Sequence, residues 1–322
     1  MVASTPQPSI VELLKAKALT RSAEIIPPRN GSETDVILRQ IERLKQVPVD
    51  FISVTKGAGG SLRGGTLPIA QLIKSRFDIT ALAHFTCRDY TIEEIENTLM
   101  DHHYFGVHNI LALRGDPPEG KPDHFKPAPN RHSYAYQLVD QIRHLNGGEY
   151  IVREGFDKPA ASGEASNPNL RKGSPTSFCI GVAAHPEQEP HDEAVEYFAR
   201  KVENGAQFAI TQMLFSAEPY ARFLESCAKR GIHAPVLPGL RIVTQLATAE
   251  RMTKKKEFGI KIPQAFMDKL ASATSKEDGK KIGFEYTLKL CEQLVAAGAP
   301  GIHVFVMNDE NSAAELLLSL KS

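Results

Sequence analysis

The chain has 322 residues, of which 42% are hydrophobic and 24% charged, a composition typical of a globular protein with a sizeable core. Lys and Arg together number 38, as do Asp and Glu, so no net charge draws the chain to nucleic acid or to an anionic membrane. No apolar run approaches the roughly 20 residues of a membrane helix, and no signal-peptide pattern is present. The four cysteines form no close pair, which argues against a disulfide framework, and we expect a cytoplasmic protein.

Eight short apolar runs predict strands that are buried on both faces. In chain order they are AEII at 23–26, FISVT at 51–55, ITALAHF at 79–85, NILAL at 109–113, FCIGVAA at 178–184, FAIT at 208–211, APVLPG at 234–239 and GIHVFVM at 301–307. The intervening segments have helical periodicity, and Thr91 with Glu94 forms a capping box ahead of one of them. This alternation predicts an α/β fold, a (β/α)8 TIM-type barrel formed by a single domain over 1–322. A doubly wound open sheet is the alternative.

An irregular insertion at about 146–177 interrupts the alternation. It is rich in Gly, Pro, Ser and Asn, and EYIV at 149–152 is its only strand-like piece. Loops of this length are either functional lids or segments without a fixed structure. We favour a surface decoration over a lid.

Polar side chains stand at the carboxyl ends of the predicted strands, where the active sites of TIM barrels lie. They are Glu24, Thr55, His84, Thr86, Arg114, Asp116, His185, Gln212 and Asn308. A ring of such groups predicts one polar pocket, because buried polar groups need partners or ligands. Arg114 and Asp116 either line this pocket or pair with each other to tie the loop. Glu24 lies in an apolar strand, where burial raises the pKa of a carboxyl toward that of a general acid, unless a neighbouring cation pairs with it.

The glycine-rich loop KGAGGSLRGG at 56–65 follows the second strand. It does not fit the dinucleotide-binding pattern, because Leu62 stands where the third glycine belongs. It also lacks the Lys and Ser or Thr of a P-loop. We therefore interpret it as a flexible loop near the barrel mouth, whose amides could bind an anion.

Several motifs occur together and in a fixed order along the chain. They are EIIPPR at 24–29, FISVTKGAGG at 51–60, AHFTC at 83–87, NILALRGDPP at 109–118, AAHPE at 183–187, RKVENGAQFAITQ at 200–212 and LPG at 237–239. The set resembles the 5,10-methylenetetrahydrofolate reductase family, in a short form without a C-terminal regulatory domain. The resemblance implies a TIM-type barrel that binds FAD without a Rossmann domain. It also implies the interconversion of 5,10-methylenetetrahydrofolate and 5-methyltetrahydrofolate, so that the substrate is a small-molecule folate. NADH or NADPH would be the electron donor. The resemblance leaves open whether the chain forms a homo-oligomer.

The resemblance also implies roles for single residues. Glu24 would be the general acid that helps to open the folate's imidazolidine ring, Asp116 would lie beside flavin and folate, and Gln212 would contact the pterin. The FAD contacts would be Thr55, Lys56, Ala58, His84, Arg114, Gly115, Asp116, Ala135, His185, His191, Arg200 and Lys201. Arg200 and Lys201 suit a pyrophosphate by charge, and a solvated helix face is the alternative for both.

The chain departs from the family pattern at several of these positions. His185 stands where a tyrosine is common, and the spacing up to His191 also differs. Thr248 and Met252 align with residues that touch folate or nicotinamide, and Asp309 stands where a partner of the folate tail is expected, so its charge would repel the tail. We therefore expect weak nicotinamide use or a preference for the reverse oxidation.

Two other functions are compatible with the sequence. One is a barrel lyase or aldolase that forms a Schiff base on Lys56. The other is a folate-binding protein without turnover.

Overall fold

The computed structural model describes residues 7–30, 32, 35–57, 64–88, 90–116, 130–153, 155, 157, 169–254 and 260–321. The strands are β1 (Thr20–Ile25), β2 (Phe51–Val54), β3 (Thr80–Thr86), β4 (Asn109–Leu113), β5 (Glu149–Ile151), β6 (Leu170–Lys172), β7 (Cys179–Ala184), β8 (Phe208–Met213), β9 (Val236–Leu240) and β10 (Gly301–Phe305). The helices are α1 (Ile10–Ala16), α2 (Asp35–Lys45), α3 (Thr66–Phe77), α4 (Ile92–Tyr104), α5 (Ala135–Asn146), α6 (His191–Glu203), α7 (Glu218–Lys229), α8 (Leu246–Lys254), α9 (Gln264–Ala271), α10 (Lys276–Ala296) and α11 (Glu310–Ser319).

Eight of the strands form a closed parallel barrel in the order β1-β10-β9-β8-β7-β4-β3-β2. The barrel closes because β1 pairs with both β2 and β10, so that Glu24 lies beside Ser53 on one side and Phe305 on the other. The predicted (β/α)8 fold is confirmed, and the open sheet is wrong. The first strand begins earlier than predicted, because the buried Thr20 and Ser22 are polar and interrupt the apolar pattern.

Alternation along each strand separates an inward from an outward set of side chains. The inward set fills the barrel with Phe51, Leu82, Leu111, Cys179, Phe208, Ile210 and Leu237. Helix α1 packs Ile10 into this cluster, and the Ile10 amide donates to Asn109 Oδ1 at 2.9 Å. The barrel is therefore solid below its mouth, as in other barrels of this size.

A second apolar cluster lies outside the barrel, among α8, α9, α10 and the loops that follow β8 and β9. It contains Phe215, Val243, Ala249, Met252, Ile262, Phe266 and Leu270. The rings of Phe266 and Tyr286 stack at 3.8 Å, and the Tyr286 hydroxyl donates to the Phe215 carbonyl at 2.6 Å. We call it the satellite core; it fixes α8 and α9 beside the carboxyl ends of β8 and β9.

The insertion contributes a two-stranded antiparallel sheet of β5 and β6. These strands follow α5 and precede β7, so they belong to the side of the barrel where the strands begin, opposite the mouth. The Ile151 amide donates to the Glu96 carboxylate on α4 at 2.7 Å. The described part of the insertion thus decorates the outside of the barrel. The second strand was not predicted, since the sequence of Leu170–Lys172 is short and mostly charged.

The four cysteines are all buried thiols, and none is bonded to another. None of the helices in the described ranges is both long enough and apolar enough to cross a membrane.

The inward packing predicts a strict need for glycine at position 181 on β7. A Cβ at this position would overlap the ring of Phe208 on the neighbouring strand. We expect Gly181→Ala to lower the free energy of unfolding by about 1–3 kcal/mol, measured by urea denaturation. Gly64→Ala is the matched control, because a Cβ there meets no atom closer than 3.9 Å. Equal stability of the two variants would contradict this account of the core, as would failure of Phe208→Leu to restore the stability of Gly181→Ala.

Candidate active site

Glu24 is the centre of a buried polar group at the barrel mouth. It lies on the inward face of β1 with 8% of its surface exposed, between His84 on β3 and His303 on β10, which are 6% and 0% exposed. Glu24 Oε2 lies 3.4 Å from His84 Nε2 and 3.8 Å from His303 Nε2. Three titratable groups from three strands thus share one desolvated space.

Hydrogen bonds fix the ring of His303. Its Nδ1 lies 2.8 Å from Ser22 Oγ, and this hydroxyl donates to the Ile302 carbonyl at 3.1 Å. Which of these two groups donates to the other depends on the tautomer of the ring, and Nε2 faces Glu24 and Ser53. Burial lowers the pKa of His303 to about 3, so the ring is neutral.

The protonation states of this group follow from burial. Desolvation raises the pKa of Glu24 to about 7, the charge of Asp116 adds to the rise, and His84 opposes it. Burial likewise lowers the pKa of His84 to about 4, with Glu24 opposing and His303 adding. The pair is therefore a carboxylic acid beside a neutral imidazole between about pH 4 and pH 7. The charge of Asp116 acts on Glu24, so the ends of β1 and β4 face the same mouth.

A cationic group lies at the ends of β4 and β7, composed of Arg114, His185 and Lys201. Lys201 Nζ donates to the Ala183 carbonyl at 2.7 Å. Burial and the charge of Arg114 lower the pKa of Lys201 to about 8. Burial, together with the charges of Lys201 and Arg114, lowers the pKa of His185 to about 3. Two cations and a neutral imidazole at the end of parallel strands make a site suited to an anion.

The methylenetetrahydrofolate reductase family model matches residues 9–161 and 168–321, nearly the whole chain. The chain belongs to this family. Among relatives of the family, methylenetetrahydrofolate reductase 1 of Schizosaccharomyces pombe is 30% identical over 307 residues, which are 93% of this chain and 45% of that protein. The Escherichia coli 5,10-methylenetetrahydrofolate reductase is 28% identical over 295 residues, 89% of this chain and 86% of that enzyme. The chain thus spans about half the length of the fission yeast and plant reductases it matches.

One solved structure supports the barrel fold. It is an uncharacterized protein from Clostridium thermocellum, described as binding two copies of 5-methyl-5,6,7,8-tetrahydrofolic acid. The TM-score is 0.59 at 14% sequence identity, over 95% of this chain and 96% of that one. At this identity the likeness concerns the fold alone.

Several residues predicted from the reductase family lie at the mouth. Thr55 follows β2, and its buried Oγ1 makes no hydrogen bond to any described residue. Gly115 has φ 94°, and a Cβ there would press on Arg88 and Thr86 at about 3.2–3.3 Å. Ala135 is buried and begins α5. Ala58 lies outside the described residues.

Other predicted residues make different contacts. Lys56 Nζ lies over the rings of Phe85 and Tyr90, 4.5 and 4.2 Å from their centroids. Gln212 lies on the inward face of β8, and its side-chain oxygen accepts from the amide of Met213 at 2.9 Å.

Arg200 and His191 contact neighbouring helical residues rather than the Glu24 group. Arg200 is exposed and pairs with Glu196 at 3.1 Å, so the structure separates it from Lys201. His191 Nε2 lies 2.9 Å from Ser226 Oγ on α7.

The three positions at which the chain departs from the reductase pattern have local roles. Thr248 accepts from Arg251 within α8 at 3.3 Å, and Met252 packs in the satellite core. Asp309 caps α11, since its carboxylate accepts from the Ser312 amide at 3.1 Å and from the Ser312 hydroxyl at 2.7 Å.

His303 was not predicted as a site residue, because it lies within a run that reads as apolar. It lies two residues after Gly301 and two before Phe305, and this spacing could have placed His303 on the inward face of its strand.

The buried acid predicts a pH-dependent effect of Glu24→Gln on stability. The folded pKa of Glu24 is raised to about 7 from 4.5, so the folded chain holds an extra proton between these values and loses stability as pH rises through 7. The glutamine variant cannot lose this proton. In urea titrations, the unfolding free energy of the variant minus that of wild type should therefore rise by about 2 kcal/mol from pH 5.5 to pH 8.5. The exposed Glu42→Gln is the control, and a pH-independent difference for Glu24→Gln would contradict the raised pKa.

Proposed function

We propose that the chain is an FAD-dependent reductase that interconverts 5,10-methylenetetrahydrofolate and 5-methyltetrahydrofolate. The observation that carries the proposal is the burial of Glu24 at the barrel mouth between His84 and His303, which raises its pKa to about 7. Membership of the reductase family supports the choice of folate as substrate. Relatives named for NADH and for NADPH support a nicotinamide as electron donor.

The residues at the mouth fit FAD. Arg114 and Lys201 would hold the pyrophosphate, since two cations lie together there beside a neutral His185. The buried Thr55 Oγ1 has no hydrogen-bond partner among the described residues, so it can take a polar atom of the cofactor. When bound, FAD supplies the two-electron chemistry of the reaction.

Glu24 acts on the folate as a general acid. Its proton passes to N10 of methylenetetrahydrofolate, the bond between N10 and the bridging carbon breaks, and a cationic N5 iminium forms. This iminium carbon is the hydride acceptor. In the reverse direction the carboxylate of Glu24 takes the proton back as the ring closes.

Asp116 and the two histidines set the charge around this step. The carboxylate of Asp116 lies on the same mouth and stabilises the iminium electrostatically. His84 and His303 are neutral, so neither repels the cation. His303 Nε2 lies 3.8 Å from the Glu24 carboxyl and helps to keep this space desolvated, which favours the protonated acid.

The Schiff-base alternative has less support. The ammonium of Lys56 lies against two aromatic rings, and these contacts stabilise it as a cation. A Schiff-base lysine must react as the uncharged amine, which these contacts with the ring faces do not favour. Folate binding without turnover is an outcome of the tests below.

The general acid should be required for the folate half-reaction alone. We expect Glu24→Gln to slow the folate half-reaction by about 10²–10⁴-fold, measured anaerobically as the change in flavin absorbance on mixing with folate. Flavin reduction by a nicotinamide should change little. In the direction that makes 5-methyltetrahydrofolate, the wild-type rate should fall as pH rises through about 7.

Three outcomes would contradict this function. One is a purified wild-type protein that binds no flavin when FAD is added. Another is a flavin spectrum that 5-methyltetrahydrofolate leaves unchanged, which is the behaviour of a binding protein without turnover. The third is an equal loss of both half-reactions in Glu24→Gln.

The departures from the family pattern predict weak nicotinamide use. Thr248 and Met252 are engaged within α8 and the satellite core, so neither side chain offers its polar atom to a nicotinamide at the mouth. We expect 5-methyltetrahydrofolate to reduce the flavin faster than NADH or NADPH does in stopped-flow mixing. Faster reduction by either nucleotide would overturn this preference.

A further inference from the structure

Arg241 occupies the mouth at the end of β9, a position without an assigned role. On this strand Leu237 belongs to the barrel interior, whereas Val236 and Leu240 pack outward with the helices. Gly239 pairs with the inward-facing His303, and a Cβ on it would meet Phe305. Arg241 is the next residue on this inward side, directly after the strand ends.

The guanidinium of Arg241 has no acidic partner among the described residues. It contacts the Met252 sulfur on α8, a weak acceptor that lies 3.5 Å from Nη1. The side chain is partly buried, and burial together with the charge of Arg251 lowers its pKa. A partly desolvated arginine beside a second arginine is unfavourable unless an anion joins them. An anionic ligand at this place would pair with the guanidinium of Arg241.

In the proposed function, the other cations of the mouth, Arg114 and Lys201, bind the cofactor's pyrophosphate. Arg114 and Lys201 lie at the ends of β4 and β7, while Arg241 lies at the end of β9, with β8 between β7 and β9. The anions of two molecules therefore have separate positions around the mouth. Gln212, on the intervening β8, lies between these two positions on the inward side.

The negative charge of Asp309, on the neighbouring β10 side, is compensated locally. Its carboxylate caps α11 and accepts two hydrogen bonds from Ser312. The positive end of the helix dipole stabilises a carboxylate in this place. Asp309 therefore repels an approaching anion less than an uncapped carboxylate would.

We propose that Arg241 binds a carboxylate of the folate's glutamate tail and so selects folates over pterins that lack the tail. The inference rests on the proposed function, because it takes folate as the substrate. Guanidinium and carboxylate pair through two parallel hydrogen bonds, which gives both affinity and a fixed orientation. The pterin end would then point toward Glu24 and Asp116, with Gln212 between.

The test compares the binding of two ligands to wild type and to Arg241→Met, by titration calorimetry of the FAD-loaded proteins. The ligands are tetrahydrofolate and tetrahydropteroate, which lacks the glutamate. Wild type should bind tetrahydrofolate about 10- to 100-fold more tightly. Arg241→Met should bind both ligands with the weaker Kd, while keeping an unbranched side chain at the end of β9.

Controls separate charge from folding. Arg76→Met removes an exposed arginine on α3 that pairs loosely with Glu42 at 3.9 Å, and it should keep the full discrimination. Arg241→Lys keeps the charge without the two-pronged geometry, so its discrimination should lie between those of wild type and Arg241→Met. Unfolding midpoints show whether each variant is folded.

The outcomes are distinct. Undiminished preference for tetrahydrofolate in Arg241→Met overturns the inference, as does a variant whose KM rises for NADH or NADPH while folate binding is unchanged. The latter result would assign Arg241 to a nucleotide phosphate. Glutamate-dependent folate binding without any change of the flavin spectrum overturns the proposed reductase function alone. Absence of folate binding in wild type overturns both.

Discussion

The burial of one carboxyl group governs the chemistry of this barrel. Glu24 lies on a strand whose two neighbours close the barrel around it, so water cannot solvate its charged form. The imidazoles on either side are themselves desolvated and neutral, and they therefore offer no cation to pair with. A carboxyl group in such a place keeps its proton near neutral pH, which is what a general acid requires.

The remainder of the mouth arranges charge around this neutral centre. Asp116 brings the one negative charge that acts on Glu24, at the place where a cation would develop during ring opening. Cations lie at the ends of β4, β7 and β9, where anionic parts of a cofactor and a substrate would be held. Glu24, His84 and His303 lie on barrel strands, and the other groups lie on loops or a helix next to strand ends, so the rigid barrel fixes the spacing between them.

The fold could be predicted from the sequence because parallel barrel strands read as continuous apolar runs, and all eight were found. The strand ends near Glu24, Asp116 and His185 could also be located from the sequence, because polar residues follow apolar runs there, while the roles of these residues stay predictions. The sequence did not predict that His303 and Arg241 lie at the mouth. Each is a single polar residue, and its position follows only from the inward alternation of its strand and from contacts across strands. Arg200 and Lys201 could not both face the barrel, because adjacent residues on a helix point about 100° apart. The sequence pattern alone could not decide which of the two residues faces the barrel.

The central claim is that Glu24 keeps its proton up to about pH 7 at a barrel mouth that it shares with Asp116. Infrared difference spectra between wild type and Glu24→Gln, recorded across pH, test it most directly. The account predicts a protonated carboxyl band that belongs to Glu24 and disappears with a midpoint near pH 7. A carboxylate band from Glu24 that persists down to pH 5 would contradict it.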